Sequence, residues 1–251
     1  MQNLEGKTAL VTGGANGIGF ALAQTLLAEG MQVVITDVDG QALAAAEQAL
    51  RGSNTQLLAL ELDVTDRDGF AAVGKAVQER FGNLHLLCNN AGVYRGGTLD
   101  KVTYEDWDWV LGVNVGGVVN GLQTFVEGMR EHGEGAHIVN TASMAGLSSS
   151  PGLGVYNTSK FAVVGMSEAL RQDLAPHNIG VSVLCPGMVQ TRILESERTR
   201  PADFDVTDTA ALAAAEAQSE AMHLAMGAAI TPEEVAQVVI NGIKEIGRAH
   251  V

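Results

Sequence analysis

Residues 8–30 read TALVTGGANGIGFALAQTLLAEG. The first five are apolar or β-branched, the next seven hold four glycines, and the last eleven are helix formers that stop at Gly30. This pattern predicts a strand, a tight turn and a helix. Gly13, Gly17 and Gly19 permit the turn, a close approach of backbone to a pyrophosphate, and close packing of a helix whose N-terminus favours an anion. Asn16 and Ile18 lie between them and belong to the same candidate cofactor site. The spacing differs from the usual G-x-G-x-x-G dinucleotide fingerprint. A glycine-rich turn by itself therefore leaves the ligand open.

Working outward, TALVT (8–12) is the first of six apolar runs, followed by QVVIT (32–36), LLALEL (57–62), LHLLCN (84–89), HIVNT (137–141) and GVSVLC (180–185). Their continuous hydrophobicity suits strands covered on both faces, and the segments between them are long enough for crossover helices. The predicted fold class is α/β: a doubly wound parallel, Rossmann-like sheet in a three-layer α/β/α arrangement. With 251 residues and no Pro-rich or charged linker in the first 190, one catalytic domain over 1–251 is expected. Residues 191–230 break the alternation and read as a substrate-side lid or a helical insert.

A formal net charge of −14 disfavours non-specific nucleic-acid binding. The start MQNLEGKTALVTGG lacks a basic region followed by an apolar signal core, and no run approaches the roughly 18 apolar residues of a membrane span, so a cytoplasmic protein without a membrane segment is expected. Cys88 and Cys185 lack C-x-x-C spacing and the six histidines lack close ligand spacing, so no metal is expected.

Asp37 ends the second run, 18 residues after Gly19, where a carboxylate can accept hydrogen bonds from an adenosine ribose and repel a 2′-phosphate. Asp63, beside Val64, could face the adenine amino group. The NNAG stretch (89–92), with Asn90, Ala91 and Gly92, follows the fourth strand at the carboxyl edge where ligands of such folds bind. Each could also be a plain turn. Tyr156 and Lys160 are four apart and share a helix face, so the ammonium can lie near the phenol and ease its ionisation. Ser143 could donate to a developing alkoxide or carbonyl oxygen, and Asn114, a poor helix former in the helical stretch 103–130, could serve in a water relay.

Taken together these residues resemble the short-chain dehydrogenase/reductase family over residues 5–192, and more loosely through TPEEVAQVVINGIKEI. The resemblance implies that TGGANGIG binds the cofactor pyrophosphate, that NNAG supports sheet and cofactor, and that Asn114, Ser143, Tyr156 and Lys160 are the catalytic set. It further implies that PGMVQT (186–191) wraps the nicotinamide, with Pro186 and Gly187 leading into Val189 and Thr191 at the carboxamide and phosphates. Asn16 stands where NADP-preferring relatives often carry a basic residue, which with Asp37 points to NAD. TYEDWDWVLGVNVGG, HIVNTASMAGL and TRILESERTRP are similar to a bacterial group that includes Cα-dehydrogenases of lignin-derived aryl ether alcohols.

The expectation is an NAD-dependent oxidoreductase interconverting a hydrophobic secondary alcohol and its ketone, a small-molecule substrate. The alternatives are an NADPH-dependent 3-oxoacyl thioester reductase or a non-catalytic NAD-sensing protein. Substrate contacts are expected from Met144, 146–155, Met188 and 191–230; Ile193, Leu194, Met222 and Met226 could instead seal the core. A homo-oligomer, a tetramer, is expected through the helices near 103–130 and 157–174, as the family implies. Relatives commonly end in a seventh strand and tail, whereas this sequence stops at GRAHV.

Overall fold

The computed structural model describes residues 1–51, 56–202, 204 and 229–245. Six strands form one sheet: β1 (Thr8–Thr12), β2 (Gln32–Asp37), β3 (Leu57–Glu61), β4 (Leu86–Asn89), β5 (Ala136–Thr141) and β6 (Ile179–Leu184). All pair in parallel, in the order β3-β2-β1-β4-β5-β6. Register is set by apolar pairs such as Leu10 with Val34 on one side and with Leu87 on the other. The six runs read from sequence match these strands within two residues at each end.

The strands are apolar throughout because both faces are covered. Ala9, Val11, Val33, Ile35, Leu86, Cys88 and Val139 point into one core, while Leu10, Val34, Leu87 and Ile138 point into the other. The first core is closed by α1 (Gly17–Ala28), α2 (Gly40–Arg51) and α7 (Pro232–Glu245). The second is closed by α3 (Arg67–Phe81), α5 (Gly117–His132) and α6 (Gly154–Leu174). The α7 start is a reciprocal cap: Thr231 Oγ1 accepts from Glu234 N while a Glu234 carboxylate oxygen accepts from Thr231 N, with Pro232 at the first helical position.

α4 (Tyr104–Leu111) runs into α5 through a π-helical turn, Gly112–Gly116. The resulting helix, Tyr104–His132, is long and apolar enough to cross a membrane by length and composition, which reading single apolar runs did not anticipate. Its hydropathy comes from valines and leucines in a stretch without a charge between Asp108 and Glu127. In the fold Val118, Leu122, Phe125 and Met129 lie in the second core.

Strand order reverses between β1 and β4, so the crossovers diverge there and leave a crevice at the carboxyl ends. The glycine turn and the NNAG stretch both open onto it. Within the proposed lid, residues 193–199 form a short 3-10 segment. Met222, Met226 and the rest of 205–228 lie outside the described residues, as does the GRAHV tail.

Candidate active site

A cleft of about 660 Å³ follows the carboxyl edge of the sheet. Every candidate site residue named from sequence lines it except Gly19 and Asn114, and these two act from behind the wall. A Cβ on Gly19 would stand 2.1 Å from the Gly13 carbonyl oxygen, so only glycine lets α1 start this close to β1. Gly13 and Gly17 have positive φ, 64° and 52°, and added Cβ atoms there would meet Ala91 Cα and Thr191 Cγ2, each at 2.9 Å. Thr191 is thereby placed over the glycine turn.

The NNAG stretch locks this turn to the sheet. Thr12 Oγ1 accepts from the Asn90 and Ala91 amides, and Asn90 Nδ2 donates to the carbonyls of Thr12 and Gly13. Asn89 donates across the sheet to Asn140, which donates to Ser167 on α6. Asp37 sits at the rim, accepting from the Ala15 amide at 3.2 Å and the Asp39 amide at 3.1 Å. Asp63 accepts from both the amide and the hydroxyl of Thr65, an Asx turn that holds its carboxylate at the wall. Val64, Ile18, Gly92, Pro186, Gly187 and Val189 supply apolar or backbone lining.

Whether these residues fit a dinucleotide can be judged from the side chains alone. Asn16 Nδ2 is buried and has no hydrogen-bond partner among the described residues, at a turn of glycine backbone beside the start of α1. An orphaned donor next to a helix N-terminus suits an anionic oxygen. Asp37, the glycines and Thr191 complete a groove that fits a pyrophosphate-linked nucleotide.

Tyr156 lies where this groove meets the substrate end. Its phenol shares the cleft wall with Ser143, and its ring meets Tyr94 edge-on with centroids 5.4 Å apart. Ser143 is held by accepting from the Ala145 amide. Lys160 is buried; its Nζ donates to the Thr141 carbonyl at 3.0 Å and lies 5.6 Å from the Tyr156 ring centroid. Burial pushes the Tyr156 phenol up to about 12, against a smaller opposing effect of Ser143, with Tyr94 adding to the rise. Tyr156 is half-buried, and desolvation governs its phenol. Burial also pushes Lys160 down to about 8. Burial alone thus raises the tyrosine, whereas the lowering expected from sequence called on Lys160 and a positively charged nicotinamide together.

Asn114 occupies the π-helical turn. Its amide donates to the Val93 carbonyl and to Ser159 Oγ, and its Oδ1 accepts from the Val93 amide at 2.8 Å. Both amide hydrogens are taken by protein groups. The expected side-chain water relay gives way to a brace between the post-β4 loop and α6.

Met144, Ser148, Ser150, Leu153 and Met188 line the substrate end as expected, joined by Ile193 and Leu194. Phe204, within the expected 191–230 segment, lines the same end, as do Tyr94 and Trp109, which sequence reading missed. Tyr94, two residues past NNAG, was within reach of sequence reasoning. Trp109 was not, because only the packing of α4 against the segment that follows β6 brings it to the cleft.

His85, His132 and Glu134 approach one another to within 4.8 Å on the far side of the sheet. His85 Nδ1 accepts from the Thr8 amide and His132 Nδ1 from the Glu134 amide, so their other nitrogens are donors, to Glu134 and to the Leu84 carbonyl. No imidazole lone pair is left for a metal.

A six-stranded sheet of this order, with a Tyr156–Lys160 pair facing a nucleotide groove, defines a dinucleotide-dependent oxidoreductase. The sequence profile of the short chain dehydrogenase family matches residues 7–202, and the chain belongs to that family. It is 34% identical over 246 residues to a C alpha-dehydrogenase of Sphingobium sp., covering 98% of this chain and 80% of that protein. A short chain dehydrogenase/reductase from Burkholderia phymatum, solved in complex with NAD, superposes with a TM-score of 0.92 at 39% identity, covering 98% of this chain and 88% of that one. LigO from Sphingobium sp., in its apo form, gives a TM-score of 0.79 at 36% identity, covering 97% and 81%.

Proposed function

We propose that this chain interconverts a hydrophobic, aryl-substituted secondary alcohol and its ketone with NAD, using Tyr156 as the general acid and base. The observation that carries the reading is the position of Ser143, Tyr156 and Lys160 between a groove fitting a nucleotide and an end lined by Tyr94, Trp109 and Phe204. Bound NAD supplies the hydride acceptor. Tyr156 takes the hydroxyl proton as the C–H hydride leaves, and returns a proton to oxygen in ketone reduction. Ser143 holds the substrate oxygen and Lys160 contributes positive charge beside the phenol. Moving a phenol from about 12 to near 8 requires roughly 5 kcal/mol of differential stabilisation, so the tyrosine works only with cationic neighbours in place.

Asp37 and Asn16 favour NAD over NADP, in line with the NAD complex of the Burkholderia relative. The similarity to a C alpha-dehydrogenase supports an aryl alcohol. The arginines of the 192–200 segment argue against an anionic substrate, since each is paired: Arg192 with Glu195 at 2.7 Å, Arg198 with Asp39 at 2.8 Å and Arg200 with Asp106 at 2.7 Å. A homo-oligomer, a tetramer in our reading, is supported by exposed Val119 on α5 and Phe161 on α6. The test of function is NADH formation across benzylic, aliphatic, carboxylate-bearing and polyol secondary alcohols. The reading predicts the highest kcat/KM for the benzylic one, and a clear preference for the polyol overturns it.

A further inference from the structure

Behind the substrate end lies a buried ionic cluster that the chemistry above does not use. Asp106 is fully buried on α4; one carboxylate oxygen accepts from Arg95 Nε at 2.9 Å and Arg200 Nη1 at 2.7 Å, and the other accepts from the Thr103 amide. Glu197 lies 3.6 Å from both arginines. Burying such groups is a poor way to stabilise a fold, since well-packed apolar residues do as well. What the cluster does is join three segments that otherwise meet nowhere in sequence.

Each segment carries part of the substrate wall. Arg95 follows Tyr94, whose ring touches Tyr156 and whose amide donates to Ser196 Oγ at 2.9 Å. Asp106 precedes Trp109 by one helical turn. Arg200 places its guanidinium carbon 5.1 Å from the Trp109 ring centroid and donates from Nε to the Phe204 carbonyl at 2.7 Å. Trp109 also belongs to a third apolar cluster with Val93, Val110 and Val155, separate from the two cores that pack the sheet. The wall is thus held by its own small core and ion cluster.

We propose that Arg95, Asp106 and Arg200 form a clasp that fixes Trp109 and Tyr94 as the walls of the substrate end, making Asp106 and Arg200 positioning residues for an aromatic substrate. The arginine that pairs with Asp106 also covers the indole by a cation–π contact, which the ring would forfeit by turning away. An aromatic ligand needs that wall in one place, whereas a small alcohol reaches Ser143 and Tyr156 without it. The inference rests on the alcohol oxidoreductase reading.

The test is oxidation of 1-phenylethanol and 2-propanol at saturating NAD by the parent chain and by Asp106→Asn, Arg200→Gln and Arg200→Lys. NAD affinity is measured separately by fluorescence titration, and tryptic cleavage after Arg198 is followed on the same samples. Asp106→Asn and Arg200→Gln should raise KM for 1-phenylethanol at least about tenfold, leave KM for 2-propanol and NAD affinity within about twofold, and speed cleavage; Arg200→Lys should recover most of the KM. An equal rise in both KM values, a parallel loss of NAD affinity, or a lower melting temperature with an unchanged KM ratio overturns the clasp. If the parent oxidises neither alcohol the proposed function fails, and cleavage alone then decides: an unchanged rate in Asp106→Asn overturns the clasp.

Discussion

At one end of the cleft, three glycines, a strand-terminal aspartate and two backbone amides held by Thr12 make a groove almost entirely from main chain. At the other end, Tyr94, Trp109, Phe204 and a buried arginine–aspartate cluster make a wall almost entirely from side chains. The first depends on backbone and short polar groups, some near in sequence, such as the bond from Ala15 to Asp37, and some distant, such as Thr12 with Asn90, 78 residues apart. The second depends on contacts such as Tyr94 to Ser196 and Arg200 to Asp106, 102 and 94 residues apart. Main-chain geometry tolerates few side chains, whereas a wall of side chains can change its residues and keep its fold. The cofactor end is therefore the part that a family can share, and the substrate end is where its members can differ.

Tyr156 belongs to neither end, and its removal should show the largest effect. Tyr156→Phe should lower kcat by about a thousandfold or more while NAD affinity shifts less than about twofold, because the proton carrier goes and the packing stays. Stopped-flow or steady-state NADH formation with a parallel NAD titration separates these. Near-normal turnover would remove the junction on which the comparison depends.

Gly19→Ala tests whether the cofactor end is really main-chain architecture. The added Cβ meets the Gly13 carbonyl oxygen at 2.1 Å, so the turn must open at roughly 2–3 kcal/mol. We expect NAD affinity to fall at least tenfold and the melting temperature to drop, and calorimetric NAD titration reads the first directly. Unchanged NAD affinity would mean the groove is held by something other than the turn.

Burial at the junction has its own signature in pH. Lys160 is pushed down to about 8 in the folded chain, below its ordinary 10.5, so between those values the unfolded chain holds a proton that the folded chain has released. Stability should accordingly rise with pH from about 8, by up to roughly 3 kcal/mol, until Tyr156, raised to about 12, reverses the trend above pH 10. The difference in unfolding free energy between the parent and Lys160→Met, measured without NAD at pH 7.5 and 9.5, isolates this contribution. No change in that difference would place the ammonium in water.

The smallest effect belongs to the outer rim. Asp37→Ala should narrow the preference for NAD over NADP by about tenfold, roughly 1.4 kcal/mol, since it removes a ribose acceptor and a repelling charge together. The ratio of kcat/KM for the two cofactors checks it. Equal use of both by the parent would sink the NAD assignment.

Most of the sheet was legible because parallel strands covered on both faces must be apolar throughout, and QVVIT or HIVNT has no other comfortable environment. The cofactor residues were legible for a related reason: a Cβ cannot be accommodated at Gly19, and Asp37 must end its strand to reach the rim. Ser143, Tyr156 and Lys160 were readable because the helix repeat sets the last two on one face and β5 delivers the first. Asn114 was found but its use was misjudged, since the Val93 backbone and Ser159 that occupy its amide are distant in sequence. The rise that burial alone gives the Tyr156 phenol was not anticipated, because desolvation depends on everything packed around the hydroxyl.

Local sequence thus determined which segments become strands, where the backbone must turn and which side chains share a face, since propensity, glycine freedom and helix periodicity act over a few residues. Tertiary structure alone decided that Trp109 would line a cleft, that Arg200 would cover it and that all three arginines of the 192–200 segment would be paired. Burial and pairing are properties of neighbours in space, and the neighbours that made this wall come from three stretches that the chain brings together only when the sheet is complete.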